Sequence, residues 1–178
     1  MILVSDQRSS VERDLREWFS GAKRVVVAGI GNPIRMDDFV GVRIVQGLRG
    51  KVSGRVLLIE CETAPEGFTQ QIVDFKPTQV LLIDAALLEL KPGEARLVDP
   101  AKLTTFPVYS THMLPLRLFC EYLAQTTKAR IGLLLIQPRK TDFGEGLSQE
   151  VAQATRVVVN TLIDVVPREA SPWSTKGF

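Results

Sequence analysis

The chain has one histidine and two cysteines, and none of them stands in a conventional metal-binding spacing. Cys61 and Cys120 form no C-x-x-C pair and lie in apolar or helical pattern, which predicts buried free thiols. No block of like charge is present either. The 22 basic residues are met by 20 acidic ones, a formal charge of +2, so general affinity for nucleic acid or membrane is not expected. No apolar run approaches the roughly eighteen residues of a membrane span, and the opening "MILVSDQRSS" lacks a basic leader and a long apolar stretch behind it. These absences predict a cytosolic protein whose function resides in a specific site. With 178 residues, 45% of them hydrophobic, the chain suffices for a single domain with a sizeable core.

Short β-rich runs alternate with helical periodicity, which predicts the α/β class: a three-layer sandwich with a mixed, mostly parallel sheet of about five strands and helices on both faces. The runs fall at residues 24–30, 55–60, 79–85, 95–99 and 131–137. Four are apolar without alternation, as strands covered on both faces are. The connection across 85–94 is short for a crossover, so the 95–99 strand is expected antiparallel at an edge. Val40, Ile44 and Leu48 mark one helix, and Leu116, Phe119 and Leu123 a later one. A last helix is expected from Ser148 as N-cap, with Val151, Ala154, Val158, Leu162 and Val165 buried and Pro167 closing it. Ahead of the first strand, residues of about 8–20 read as an accessory amphipathic helix capped by Ser9 or Ser10 and stopped by Gly21, and a loose tail is expected from about 167.

The stretch "GIGNPIRMDD" at 29–38 joins the first strand to a helix, where a dinucleotide-binding turn would carry G-x-G-x-x-G. Gly29 and Gly31 fit, and Glu60 could serve as the ribose acid. The third glycine is Ile34, however, and Pro33 removes an N–H donor. Asp37 and Asp38 would also set two negative charges where a pyrophosphate should sit, and like charges a few ångströms apart in a partly desolvated cleft repel by several kcal/mol. Carboxylates at a helix start are ordinarily caps. One cap accounts for only one of them: with Asp37 as N-cap, Asp38 faces outward over the carboxyl edge of the sheet, with a cation as its natural partner.

Two more side chains are expected at that edge. Asp84 ends the strand "VLLID", and His112 lies in "YSTHMLPL", where Ser110 or Thr111 can cap a helix with Pro115 in its first turn. Taken singly, Asp84 reads as a turn acceptor and His112 as a structural histidine. Together Asp38, Asp84 and His112 offer two carboxylates and an imidazole, each at an element end, a facial set suited to zinc, nickel or a similar divalent ion.

These residues resemble the hydrogenase maturation endopeptidases, which trim the C-terminus of a [NiFe]-hydrogenase large subunit, most closely those of the formate-hydrogenlyase (hydrogenase 3) type. "GIGNPIRMDDFVG" is similar to the family's opening G-x-G-N-x-x-x-x-D-[DE]-x-x-G. "ETAPE", "LLIDA", "KPGEARLVDP", "STHMLPL", "IQP" and "FGEGLS" follow in the family's order. The resemblance runs from Arg24 to about Val166. Phe39 departs from it, standing where this type often has glycine, and the N-terminal helix precedes the usual start.

The resemblance implies a protease that removes a C-terminal extension from the large-subunit precursor after nickel insertion, with Asp38, Asp84 and His112 as metal ligands. A conventional nucleophile is missing, because one histidine cannot both bind metal and activate Cys61, Cys120 or a serine. Asp38 and Asp84 are therefore the catalytic candidates, as in an aspartyl protease, either deprotonating water or working with a metal-polarised one. The alternative is that they clasp the substrate's own nickel and act mainly in recognition. Arg35, Thr63 and Glu66 are candidates for contact with the substrate tail, although solvated loop positions account for them equally well. The expected metal is a divalent ion, the substrate's nickel, with no organic cofactor, and the expected partner is the large-subunit precursor. A non-proteolytic metal-binding maturation chaperone would share the whole cluster, and a nucleotide-binding enzyme is a weaker third reading.

Overall fold

The computed structural model describes residues 5–105 and 113–169. Among them are five α-helices and five strands, in the order α1 (Ser5–Trp18), β1 (Val25–Ile30), α2 (Val40–Leu48), β2 (Val56–Glu62), α3 (Thr69–Phe75), β3 (Gln79–Ala85), β4 (Ala95–Val98), α4 (Met113–Thr127), β5 (Arg130–Ile136) and α5 (Gln149–Val165). The sheet order is β2-β1-β3-β5-β4, parallel throughout except for β4, which runs antiparallel to β5 at one edge. Among the described residues no helix is long and apolar enough to cross a membrane.

Alternation along each strand divides the core in two. Val25, Val27, Leu81, Ile83, Leu134 and Ile136 face α1, α2 and α5, meeting Leu15, Ile44, Leu48, Val151 and Leu162. Val26, Ala28, Val80, Leu82, Leu133 and Leu135 face α3 and α4, meeting Ile72, Leu116, Cys120 and Leu123. Both faces are buried, which is why these strands read as unbroken apolar runs. Each fully buried leucine or isoleucine contributes about 1.5–3 kcal/mol.

α1 starts ahead of Ser9 and Ser10, so neither caps it, and the helix belongs to the core: Val11, Leu15 and Trp18 are all buried. The Trp18 ring packs edge-on against Phe19, with ring centroids 4.8 Å apart. It also packs against Gly132 of β5, where a side chain would meet the indole at 2.9 Å. α3, which sequence periodicity did not reveal, is only seven residues long with Ile72 as its one buried residue. Past α5 the first residues of the expected loose tail are tied down, since Ser53 Oγ donates to the Pro167 carbonyl (2.7 Å) and the Gly54 N–H donates to Glu169 Oε1 (2.9 Å).

The glycines of the 29–41 stretch serve close packing. A Cβ on Gly41 would lie 2.2 Å from the Ile83 carbonyl oxygen, and one on Gly29 would lie 2.1 Å from that of Gly41. The start of α2 thus rests backbone against backbone on the carboxyl ends of β1 and β3.

On the other side of β3, the connection to β4 is held by Gln137, the glutamine of "IQP". Its side chain is nearly inaccessible; Oε1 accepts the Leu88 and Leu90 N–H groups at 2.7 and 3.4 Å, and Nε2 donates to the Pro138 carbonyl at 3.1 Å. Gln137→Leu would leave those amides without an acceptor, and a loss of about 2 kcal/mol is expected in urea denaturation. A variant as stable as the parent would show that the 86–94 connection is held by other contacts.

Candidate active site

β1 has β2 on one side and β3 on the other, so the chain reverses its winding direction at β1, and the crevice in which such sheets bind ligands is expected outside the carboxyl ends of β1 and β3. Both segments that carry the aspartates reach that edge. After β1, residues 31–35 lead into a 3-10 turn, Met36–Phe39, which runs straight on into α2. Met36 enters it with a left-handed backbone (φ 44°), costing a non-glycine residue about 1–2 kcal/mol.

Asp38 lies in this turn and is partly buried. Its Oδ2 accepts the Asn32 N–H at 3.0 Å, while Asn32 Oδ1 accepts the Ile34 N–H at 3.1 Å, so the asparagine of "GIGN" folds the loop around the carboxylate. Asp84, next to last in β3, is paired in register with Leu135, and its Oδ1 accepts the Ala85 N–H at 2.8 Å. Burial, and then the negative charge of Asp38, push the Asp84 carboxyl from an ordinary 3.8 up to about 7, against a smaller opposing pull from the Ala85 N–H. The two acids therefore feel one another, and none of the ion pairs among the described residues involves either. Asp84, so placed, holds a proton near neutral pH or takes up a cation in its place.

His112 lies outside the described residues, as do Ser110 and Thr111. Met113 opens α4, whose fifteen residues end just before the amino end of β5, so the helix runs back from the carboxyl edge of the sheet. Among the described residues no group of three or more His, Cys, Asp or Glu side chains is arranged to hold a metal ion. Asp38 and Asp84 supply two such donors.

Asp37 is not the helix cap that its position suggested. The residue at the start of the turn is Arg35, without a side-chain cap bond, and Asp37 points inward with no accessible surface. Its Oδ1 accepts the Ser148 N–H (2.7 Å); its Oδ2 accepts the Arg139 N–H (2.9 Å), the Lys140 N–H (3.0 Å) and the Ser148 hydroxyl (2.8 Å). Ser148 does precede α5 as expected, but its hydroxyl serves Asp37 and makes no cap bond to its own helix. The 3-10 turn causes the difference, because it sets Asp37 before α2 proper and directs its side chain across to the segment after β5.

Arg35, Thr63 and Glu66 are all exposed. Arg35 Nε donates to the Thr141 carbonyl at 3.0 Å, so this guanidinium is partly engaged in holding the 139–148 segment. Thr63 follows β2 directly, and the Gly31 N–H donates to the Glu62 carbonyl at 2.7 Å, which keeps the β1 and β2 loops side by side. Glu66 lies in the next turn, and its charge adds to burial in pushing the Cys61 thiol up to about 12. Cys120 is likewise pushed up to about 12, by burial and then by Glu121. Both thiols are buried and unbonded to one another, and neither is a thiolate at neutral pH. Glu60, the candidate ribose acid, is paired with Arg49 and accepts from Gln46 Nε2 at 3.2 Å; α2 engages it, and the nucleotide reading loses its acid.

The profile of the HycI hydrogenase maturation proteases matches residues 42–165, which include Asp84 and begin just past Asp38. The chain belongs to this protease family. The protease is 33% identical over 160 residues to a Methanocaldococcus jannaschii protein assigned as a hydrogenase maturation protease, covering 85% of this chain and 94% of the relative. To the hydrogenase 3 maturation protease of Escherichia coli it is 29% identical over 140 residues, 77% of this chain and 87% of the other. The crystal structure of the [NiFe] hydrogenase maturation protease HycI from Thermococcus kodakarensis superposes with a TM-score of 0.80 at 33% identity, covering 86% of this chain and 98% of that one. These likenesses favour a proteolytic role over that of a non-cleaving chaperone.

Proposed function

We propose that the protease removes the C-terminal extension of a [NiFe]-hydrogenase large-subunit precursor in the cytoplasm, after nickel has been inserted, and that Asp38, Asp84 and His112 meet the nickel carried by that precursor. The observation that carries this reading is the Asp38–Asp84 pair, two carboxylates close enough for the charge of one to raise the proton affinity of the other, at the carboxyl edge of a maturation-protease fold. Two carboxylates and an imidazole without a thiolate hold a free divalent ion weakly, whereas nickel already bound in the precursor can complete its coordination from this side. The docked ion then sets the scissile bond at a fixed distance from the acids. Through carboxylate oxygens that the ion does not engage, Asp38 draws a proton from the attacking water and Asp84 assists its transfer to the leaving amine. Thr63 and Glu66, beside the crevice, contact the tail, and the part of the Arg35 guanidinium not bonded to Thr141 reaches it from the other side.

Gating by nickel has a direct test. Chelator-stripped protease is mixed with precursor lacking nickel and with precursor carrying it, and tail release is followed by mass. Cleavage of the loaded form alone is expected. Equal cleavage of both would overturn the gating and leave the three side chains as a resident metal site.

A further inference from the structure

Two segments far apart in the chain join beside Asp38. The Gly144 N–H donates to the Ile34 carbonyl (3.0 Å) and the Met36 N–H donates to the Gly144 carbonyl (3.1 Å), forming a parallel bridge between Arg35 and Gly144. Arg35 Nε holds the Thr141 carbonyl, and Asp37 fixes residues 139, 140 and 148. The 139–148 segment is thus pinned at both ends and in the middle. On this fixed backbone Ile34 and Phe143, each one residue before its bridged partner, are neighbours across the bridge, and both are solvent-exposed, at 51% and 85%. Phe143 is the most exposed large apolar side chain among the described residues. Exposed charges around it are of both signs, Arg35 and Lys140 against Asp142 and Glu145.

We propose that Ile34 and Phe143 form a docking tip for an apolar patch of the large-subunit precursor, seating the substrate so that its cleavage site meets Asp38. This inference rests on the function proposed above and adds a specificity determinant to it. Ile34 is tied to Asp38 through Asn32, whose N–H donates to Asp38 Oδ2 (3.0 Å) and whose Oδ1 accepts the Ile34 N–H (3.1 Å), so the tip sits on the loop that wraps the acid. Mixed charge on either side gives little electrostatic selection and leaves apolar contact as the discriminating feature. A rigid aromatic presented by an already ordered backbone loses little entropy on binding, as interface anchors require.

The test is steady-state cleavage of the nickel-loaded precursor by wild type, Phe143→Ser and Ile34→Ser, with Leu118→Ser on α4 as an apolar control about as exposed as Ile34. Thermal melts verify that each variant is folded. Phe143→Ser is expected to lower kcat/KM by about tenfold or more through KM, with kcat changed by less than about twofold. Ile34→Ser is expected to follow in the same direction, and Leu118→Ser to match wild type. Unchanged KM in Phe143→Ser, while wild type cleaves normally, would overturn the tip and leave the proposed function standing. Failure of wild type to cleave the loaded precursor would overturn both. Sedimentation supplies a second arm: a wild-type dimer that Phe143→Ser renders monomeric would show that the tip closes on a second copy, and would also overturn the proposal.

Discussion

Asp84→Asn is expected to abolish processing and, at pH 8, to raise the melting temperature of the protein. Burial and the charge of Asp38 hold the Asp84 carboxyl near 7 in the folded state, against 3.8 for an ordinary aspartate. A folded pKa above the unfolded one means that the native state favours the protonated form. Its stability contribution is complete below about pH 4 and is lost as pH rises toward and through 7. At pH 8 the ionised, buried carboxylate costs on the order of a few kcal/mol, which the neutral amide avoids. Asparagine also keeps an acceptor for the Ala85 N–H. The stability gain should therefore be largest above pH 7 and shrink toward pH 4, where wild type is itself protonated. Melting both proteins across that range tests the assignment, and a gain independent of pH, or a loss at pH 8, would refute it. The same shift makes uptake of a cation at Asp84 weaken as pH falls below about 7.

Asp37→Asn is expected to destabilise the protein by about 3 kcal/mol, since every group bonded to the Asp37 side chain is a donor. Whichever way the amide is turned, its NH2 faces at least one backbone N–H, so a bond is lost and two donors are opposed. Had Asp37 been a helix cap, asparagine would have replaced it with little loss. Urea denaturation measures the difference, and amide exchange at Arg139, Lys140 and Ser148 locates it: all three should exchange faster in the variant. Wild-type stability in Asp37→Asn would mean that the 139–148 segment is held independently of this carboxylate. Processing should fall as well, because Asp38 shares its turn with the anchor.

The contrast between these neighbouring acids shows where the sequence was legible. Asp38 and Asp84 could be placed because each stands at the end of an element, and sheet topology decides which edge those ends share. The strands were readable from unbroken apolar runs, and the antiparallel edge from a connection too short to cross the sheet. Asp37 was misread because its partners lie more than a hundred residues away, whereas capping rules look only a few residues ahead. Gln137 is similar: its acceptor role depends on the β3–β4 connection folding over the end of β5. α3 escaped notice because a seven-residue helix with one buried side chain leaves no periodic stripe. Gly29 reads as part of a turn signal and Gly41 only as the last glycine of the family motif, because their physical reason, backbone contact between α2 and the strand ends, exists only in three dimensions.

The measurement that bears most directly on the central claim is the intact mass of nickel-loaded large-subunit precursor after incubation with wild-type protease and with Asp38→Asn. Wild type is predicted to release the C-terminal extension, and Asp38→Asn, folded by its melting curve, to leave the precursor at full length. Release of the extension by Asp38→Asn at the wild-type rate would contradict the account.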